Sequence, residues 1–576
     1  MEHDLEITGA TIHDGSGGPG VRGDVAIRDG RISAIGRVEG RARRTVEADG
    51  LVVCPGFVDI HTHYDAQVMW DPLMTISPWH GVTTVVVGSC GFGVAPTHPA
   101  HRRLILRILE RVEAMSLAAL EAGLGPDWPF VSFGEYLDAI ERRGTAINIG
   151  VMAGHTPTRL HVMGEAAVER AATAEEIARM EALVAEALAA GALGFATSTS
   201  PIHVGYSGKP VPSRLADDAE MLAMARALAG AGHGVFHYNG TRDPDFARHE
   251  ALHRASGRTV VWTPLLSGQL GPGGHRKSLV RAAEDARAGL PIVPQVACRP
   301  IVSEWNFGTP VIFDTWALFA PTRAADGPEA LARIYADPDF RAAFREEVAG
   351  RGGRDAAFSG GSREGESRRQ SFAMTEISWC PAEPALEGRK LVDAARERGV
   401  HPCDLALDIA LASGLAARFR TPLVNFDEDE VRELVTDPNV VVGLGDGGAH
   451  MSQLCDACYA THLLGHWVRE RRALPLERAV HMLTGRTAAL YGIADRGLLA
   501  EGLPADIVVF DPERVGAGPL ERVHDLPAGA DRLVSMPSGI AAVLCNGTVL
   551  PAPGEAWPSG EALSGRLLRG GGRRSA

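Results

Sequence analysis

The feature that most constrains this chain is a set of eight short, almost uninterrupted apolar runs separated by helical patterns. The runs cover 57–60, 83–87, 146–152, 192–196, 234–236, 259–263, 292–296 and 440–444. Continuous rather than alternating hydrophobicity is what a strand needs when helices cover both faces of its sheet, as in a parallel sheet. The segments between carry helix punctuation. Thr173-Ala-Glu-Glu176 reads as a capping box, Ile177, Met180, Val184, Ala187 and Leu188 then share one face, and Gly191 is the stop. Eight strand–helix units predict an α/β fold, a (β/α)8 TIM-like barrel, with a doubly wound open sheet as the competing architecture.

The two ends have a different texture. Residues 5–11 and 24–35 alternate as antiparallel strands do, and Asp29-Gly30 is a hairpin-turn signal. The pattern returns at 506–510 and around Cys545-Asn546-Gly547-Thr548, a second Asn-Gly hairpin. Two distant pieces of like character can meet in one β satellite. The expected divisions are therefore 1–55 and 491–553 for the satellite and 56–490 for the barrel, with a long insertion near 300–435 and a flexible tail at 554–576. Within the insertion, 350–370 is rich in Gly, Ser and charge and reads as loop.

Composition excludes several classes of function. Lys+Arg 57 against Asp+Glu 71 gives a net charge of −14, which opposes phosphate contact and argues against nucleic acid as a partner. No run approaches the roughly 20 uncharged apolar residues of a membrane span, and the first residues do not read as a signal peptide. Eight scattered cysteines without a secretory signal read as reduced thiols, so a cytoplasmic setting and a small-molecule substrate are expected, with a homo-oligomer possible.

The chemistry sits where the apolar runs end. Pro55-Gly-Phe-Val-Asp-Ile-His61-Thr-His63 closes the first strand with two imidazoles at i and i+2, which point to one side. At the C-terminal mouth of a barrel strand that is half a metal site. The second strand leads to Cys90, a strong zinc ligand as thiolate, although a lone buried Cys is more often a small hydrophobe. The fifth strand leads to His237, either a ligand or a hydrogen-bonded core imidazole. The eighth ends Gly443-Leu-Gly-Asp446-Gly-Gly, a carboxylate that can both ligate an ion and take a proton from attacking water; the alternative is a helix cap. Cys455-Asp-Ala-Cys458 has redox-type spacing without a thioredoxin-like setting, and no Gly-x-Ser-x-Gly elbow supports a serine hydrolase.

At these residues the chain resembles the metal-dependent amidohydrolase superfamily, most closely its D-aminoacylase (N-acyl-D-amino-acid deacylase) branch. The likeness spans nearly the whole sequence. It runs from Gly30-Arg-Ile-Ser-Ala-Ile-Gly through His61-Thr-His63, Gly88-Ser-Cys90-Gly-Phe-Gly, Gly154-His155 with Arg159, and Val162-Met-Gly164. It continues through Gly191-Ala-Leu-Gly-Phe-Ala-Thr-Ser198 and Gly445-Asp446-Gly to Thr484–Ala488, Arg496-Gly-Leu-Leu, Gly502 and Ala505-Asp-Ile-Val-Val-Phe-Asp511. The resemblance implies a barrel with a β-sandwich built from both termini, and a zinc centre carried by His61, His63, Cys90, His237 and Asp446. Two of the branch's features are missing. Its strand-six Ser-His-Leu-Lys run is replaced by Thr263-Pro264-Leu265-Leu266, and no arginine follows Asp446.

These residues predict a zinc-dependent hydrolase of a C–N amide bond with Asp446 as general base, and the resemblance implies an N-acyl-D-amino acid as its substrate. His155, His203 and Tyr206 are candidate substrate contacts, and Arg214 a candidate grip on a carboxylate. With no strand-six imidazole, one zinc ion per chain is expected rather than two, and His237 either completes its site or meets substrate. Cyclic-amide or lactone opening, a non-hydrolytic elimination, and a metal-poor binding protein are the other readings the residues leave open.

Overall fold

The computed structural model describes residues 2–313, 316–349 and 372–571. Each of the eight apolar runs is a strand, and parallel pairing follows chain order. Phe57–Thr62 pairs with Val82–Val87, which pairs with Asn148–Val151. The third strand resumes as Ala153–Gly154 and pairs with Gly194–Ser198; Val235–Asn239, Val260–Leu265, Ile292–Val296 and Val441–Val442 follow in turn. A parallel bridge between Thr62 and Gly447 joins the exit of the last strand to the first. An open doubly wound sheet needs a point where strand order reverses, and this order has none. The helix Ala174–Ala190 has both halves of its capping box and stops at Gly191, whose φ of 117° suits a residue without Cβ.

The ends of the chain share one sheet. Strands Glu2–Ile12, Val21–Arg28, Arg31–Gly36, Arg41–Glu47 and Val52–Pro55 join Ile507–Phe510, Ile540–Cys545 and Thr548–Val549. Asp29-Gly30 and Asn546-Gly547 both have positive φ at two successive residues, as the tightest hairpin turns require. Alternation decides what each face does. Val53, Ile507 and Val509 pack with Leu5, Ile7 and Val25, whereas Val52, Cys54, Val508 and Phe510 pack into the barrel's core. The satellite is thus fastened to the barrel by buried apolar surface.

Between the seventh and eighth strands the insertion builds its own three-stranded sheet, Ile301–Asn306, Arg418–Val424 and Glu376–Trp379. Its core is aromatic: Trp305 stacks on Phe419 at 4.8 Å, and Phe313 on Phe319 at 4.4 Å. The Gly- and Ser-rich stretch 350–370 lies outside the described residues.

The expected tail is corrected by the structure through residue 571. Leu567–Leu568 is a strand paired in parallel with Ile149 and Gly150, and the Gly570 N–H donates to the Gly191 carbonyl ahead of the fourth strand. Arg569 pairs with Asp138 at 3.1 Å and Glu141 at 2.8 Å. The segment therefore wedges between strands three and four at their N-terminal ends. Gly565 and Gly570 allow close backbone approach, and Arg569 makes the ion pairs. Among the described residues no helix is long and apolar enough to cross a membrane.

Candidate metal centre

Three of the expected ligands converge at the C-terminal mouth. One ligand atom each from His61, His63 and Cys90 lies within 4.8 Å of the other two, and all three residues are buried. Strand one delivers His61 at its end and His63 just beyond it. Strand two delivers Cys90 in a tight turn, at φ 56°. The loop after strand eight brings Asp446, whose Oδ1 lies 3.3 Å from His61 Nε2 and 3.7 Å from His63 Nε2. Asp446 has φ 45°, and its N–H donates to the His61 carbonyl. Left-handed backbone at two non-glycine residues facing one point is strain of the kind that surrounding structure holds in place at functional sites.

The glycines of Gly443-Leu-Gly445 explain how strand eight comes so close. A Cβ at Gly443 would meet Gln295 Nε2 at 2.2 Å, and one at Gly445 would meet Asp59 Oδ2 at 2.1 Å. Gln295, on strand seven, accepts the His61 Nδ1–H at 2.6 Å, which turns Nε2 toward Cys90 and Asp446. Asp59 accepts the His61 N–H at 3.0 Å. On the other side, Glu113 Oε1 stands 3.2 Å from His63 Nδ1. Asn239 donates to Cys90 Sγ at 3.0 Å.

Sequence reasoning missed Gln295, Asn239 and Glu113. The first two carried a signal: Gln295 is the one amide in an apolar strand, and Asn239 stands two residues after His237, on the same strand face. Glu113 follows a helix rich in Arg and Glu and looks there like any solvated charge.

The electrostatics are those of a site built around anions. Burial disfavours charge on every member, yet the partners overcome it. Cys90 and Asp446 raise the His61 imidazole to about 9, and Glu113 and Asp446 raise His63 well above the usual range. Burial pushes the Cys90 thiol up, but His61 and His63 outweigh it and bring the group down to about 7. The same two histidines hold the Asp446 carboxyl well below the usual range against its burial. A thiolate and a carboxylate facing two imidazoles in a dry pocket are the donor set of a zinc-type cation, so the residues present fit such an ion.

The other expected residues divide. His237 lies beside the cluster, its ring centre 5.1 Å from that of His61, and neither ring nitrogen has a hydrogen-bond partner. Burial, then His61 and His63, hold it well below the usual imidazole range, hence neutral. His203 packs edge-on to Phe92 at the mouth, and its Nδ1 is engaged by the Ser198 hydroxyl at 2.7 Å. The Arg214 guanidinium donates to the His203 carbonyl at 3.1 Å. His155 is placed elsewhere: Thr197 and Glu220 each meet one ring nitrogen at 2.7 Å, and Arg159 also binds Glu220. That network supports strands three and four and leaves the ring no nitrogen for a substrate. Tyr206 sits in the turn Tyr206–Gly208, half-buried against the main core, and among the described residues no hydrogen bond ties it to the cluster. Thr263 and Pro264 bring no ligand from strand six.

With this geometry in view, comparison with known proteins is decisive. The model of the amidohydrolase family matches residues 44–551. The chain belongs to the amidohydrolase family. A D-aminoacylase of Alcaligenes xylosoxydans xylosoxydans is 31% identical over 518 residues, 89% of either chain. An N-acyl-D-glutamate deacylase from the same organism is 30% identical over 573 residues, 98% of this amidohydrolase and 96% of the relative. Among solved structures, the N-acyl-D-glutamate deacylase of Bordetella bronchiseptica, complexed with zinc and a phosphonate inhibitor, superposes with a TM-score of 0.63 at 26% identity, covering 99% of this chain and 100% of its own. The resemblance to the D-aminoacylase branch thus holds over the whole length, and the protein is a metal-dependent amidohydrolase enzyme.

Proposed function

We propose that this amidohydrolase cleaves the amide C–N bond of an N-acylated amino acid, of the D configuration that its relatives' names specify, using one zinc ion held by His61, His63, Cys90 and Asp446. The observation that carries the reading is the convergence of His61, His63 and Cys90 within 4.8 Å, with Asp446 Oδ1 at 3.3 Å from His61. When bound, such an ion supplies Lewis-acid polarisation of the carbonyl and makes water nucleophilic at neutral pH. The protein does the rest. Gln295 aims the His61 imidazole, and strand eight presses Asp446 against the two rings. Asp446, kept ionised by its neighbours, accepts the proton of the attacking water on a carboxylate oxygen and returns it to the departing nitrogen. His237, neutral and unpartnered, faces the reacting groups as a hydrogen-bonding partner for substrate or as a further ligand. Arg214, with its one hydrogen bond to the His203 carbonyl, offers its remaining donors to the substrate carboxylate that the branch otherwise grips from strand six and from the loop after strand eight.

The test is product analysis on a panel of N-acetyl D- and L-amino acids, simple amides and lactones. Release of acetate from D-amino-acid derivatives alone is the expected result. Turnover confined to lactones or cyclic amides, or loss of the acyl group by elimination, would overturn it.

A further inference from the structure

The Glu113 side chain has no role in the reading so far beyond its proximity to His63, and its surroundings make that proximity informative. The residue is 4% exposed, and neither its carboxylate oxygens nor His63 Nδ1 beside them makes a hydrogen bond. A buried carboxylate without partners is costly, by several kcal/mol even after relaxation (~1–3 for a merely polar group), so this position persists only if something else needs the charge. The walls around it are largely apolar: Leu109, Met115 and Leu120 line the small cavity that Glu113 and His63 share. His63 Nδ1 lies 3.2 Å from the Glu113 carboxylate, while His63 Nε2 faces Asp446; a second buried acid, Asp65, lines the same cavity. The Glu113 carbonyl also accepts the Met451 N–H at 3.1 Å, which ties the end of the helix Arg102–Val112 to the loop that carries Asp446.

We infer that Glu113 is a positioning residue of the metal centre: its carboxylate, 3.2 Å from His63 Nδ1, holds the ring's proton on that nitrogen by charge, fixes the ring with Nε2 toward the cluster, and makes Nε2 a stronger donor to a bound cation. His61 has a neutral carboxamide, Gln295, in the equivalent place, so the two imidazoles differ in the charge behind them. A carboxylate behind a ligating imidazole sets tautomer and ring orientation, and its loss costs about 10–100-fold in metal affinity. The inference rests on the reading of His63 as a metal ligand.

Zinc dissociation constants, measured by competition with a chromophoric chelator, test it in wild type, Glu113→Gln, His63→Ala and the double variant, with thermal melts of the metal-free proteins alongside. Glu113→Gln is expected to weaken zinc about 10–100-fold, with a metal-free melt no lower than wild type. Its kcat should recover at saturating zinc while KM stays put. In the His63→Ala background the same substitution should change zinc affinity little, because the ring it acts through is gone. Glu113→Asp, which keeps the charge but withdraws it by one methylene, should fall between wild type and Glu113→Gln and serves if the latter does not fold. An equal loss of affinity in both backgrounds would mean direct ligation or general support of the fold, and would overturn the inference. So would wild-type affinity in Glu113→Gln. Wild-type protein that retains no zinc would instead overturn the metal-centre reading itself.

Discussion

At the scale of single residues the centre is asymmetric: two imidazoles and a thiol come from strands that begin the barrel, while the proposed base comes from the strand that closes it. Replacing His61 and His63 together by Ala is expected to abolish metal retention and turnover while the far-ultraviolet spectrum is kept; stoichiometric zinc in the double variant would count against the assignment. Asp446→Asn keeps the volume and removes the proton acceptor. It should lower kcat by ~10²–10⁴ and leave KM within a few-fold, which steady-state kinetics on the best substrate will read. The Thr263-Pro264 gap is the ground for proposing a single ion. Cys90 and His237 alone give a second ion two protein ligands, short of the three or four usual for zinc. After dialysis against a weak chelator, elemental analysis should find one ion per chain, and two would overturn the single-ion reading. Of this centre His61, His63, Cys90 and Asp446 were legible because each ends an apolar strand. Gln295 was missed although it is the one amide in an apolar strand, and Glu113 because at the end of an Arg-rich helix it looks like any solvated charge.

At the scale of elements, the eight runs and the capping box of Ala174–Ala190 were readable for a simple reason: local hydrophobic continuity and local hydrogen bonding determine them. The strand Leu567–Leu568 was not. Two leucines within a Gly- and Arg-rich segment give no periodicity, and their strand exists only because the barrel offers an unpaired edge at Ile149 and Gly150. Leu567 is 4% exposed, so Leu567→Ala should cost about 2–4 kcal/mol. The urea midpoint will report this, and because the wedge is at the end of the barrel opposite the metal centre, kcat of the folded fraction should not move. His155 teaches the complementary lesson. It reads as a candidate substrate contact after strand three, yet Thr197, on strand four, and Glu220, on the helix Asp218–Ala231, engage both of its ring nitrogens.

For the molecule as a whole, several histidines are buried as neutral rings. His249, stacked on Trp262, is lowered to about 4, and His462 to about 3, both chiefly by burial. The unfolded chain protonates these rings near 6.5, the folded one only far below, so between those values the unfolded state binds more protons. Stability is therefore full above about pH 6.5 and falls as pH drops toward 4 and 3. Urea midpoints at pH 7.5, 6.0 and 5.0 should decrease in that order, and His249→Phe, which keeps the ring stack, should flatten the slope; a midpoint independent of pH would contradict this account. The closing wedge has a consequence of another kind, in time rather than energy. Arg566 and Asn148, which bond to each other beside the wedge, are 418 residues apart in the chain. At ribosomal rates of ~5–20 residues per second, strand three waits roughly 20–80 s for the segment that covers its edge. During synthesis this protein carries an exposed apolar strand edge for most of its own birth, so its yield in cells will depend on what shields that edge meanwhile.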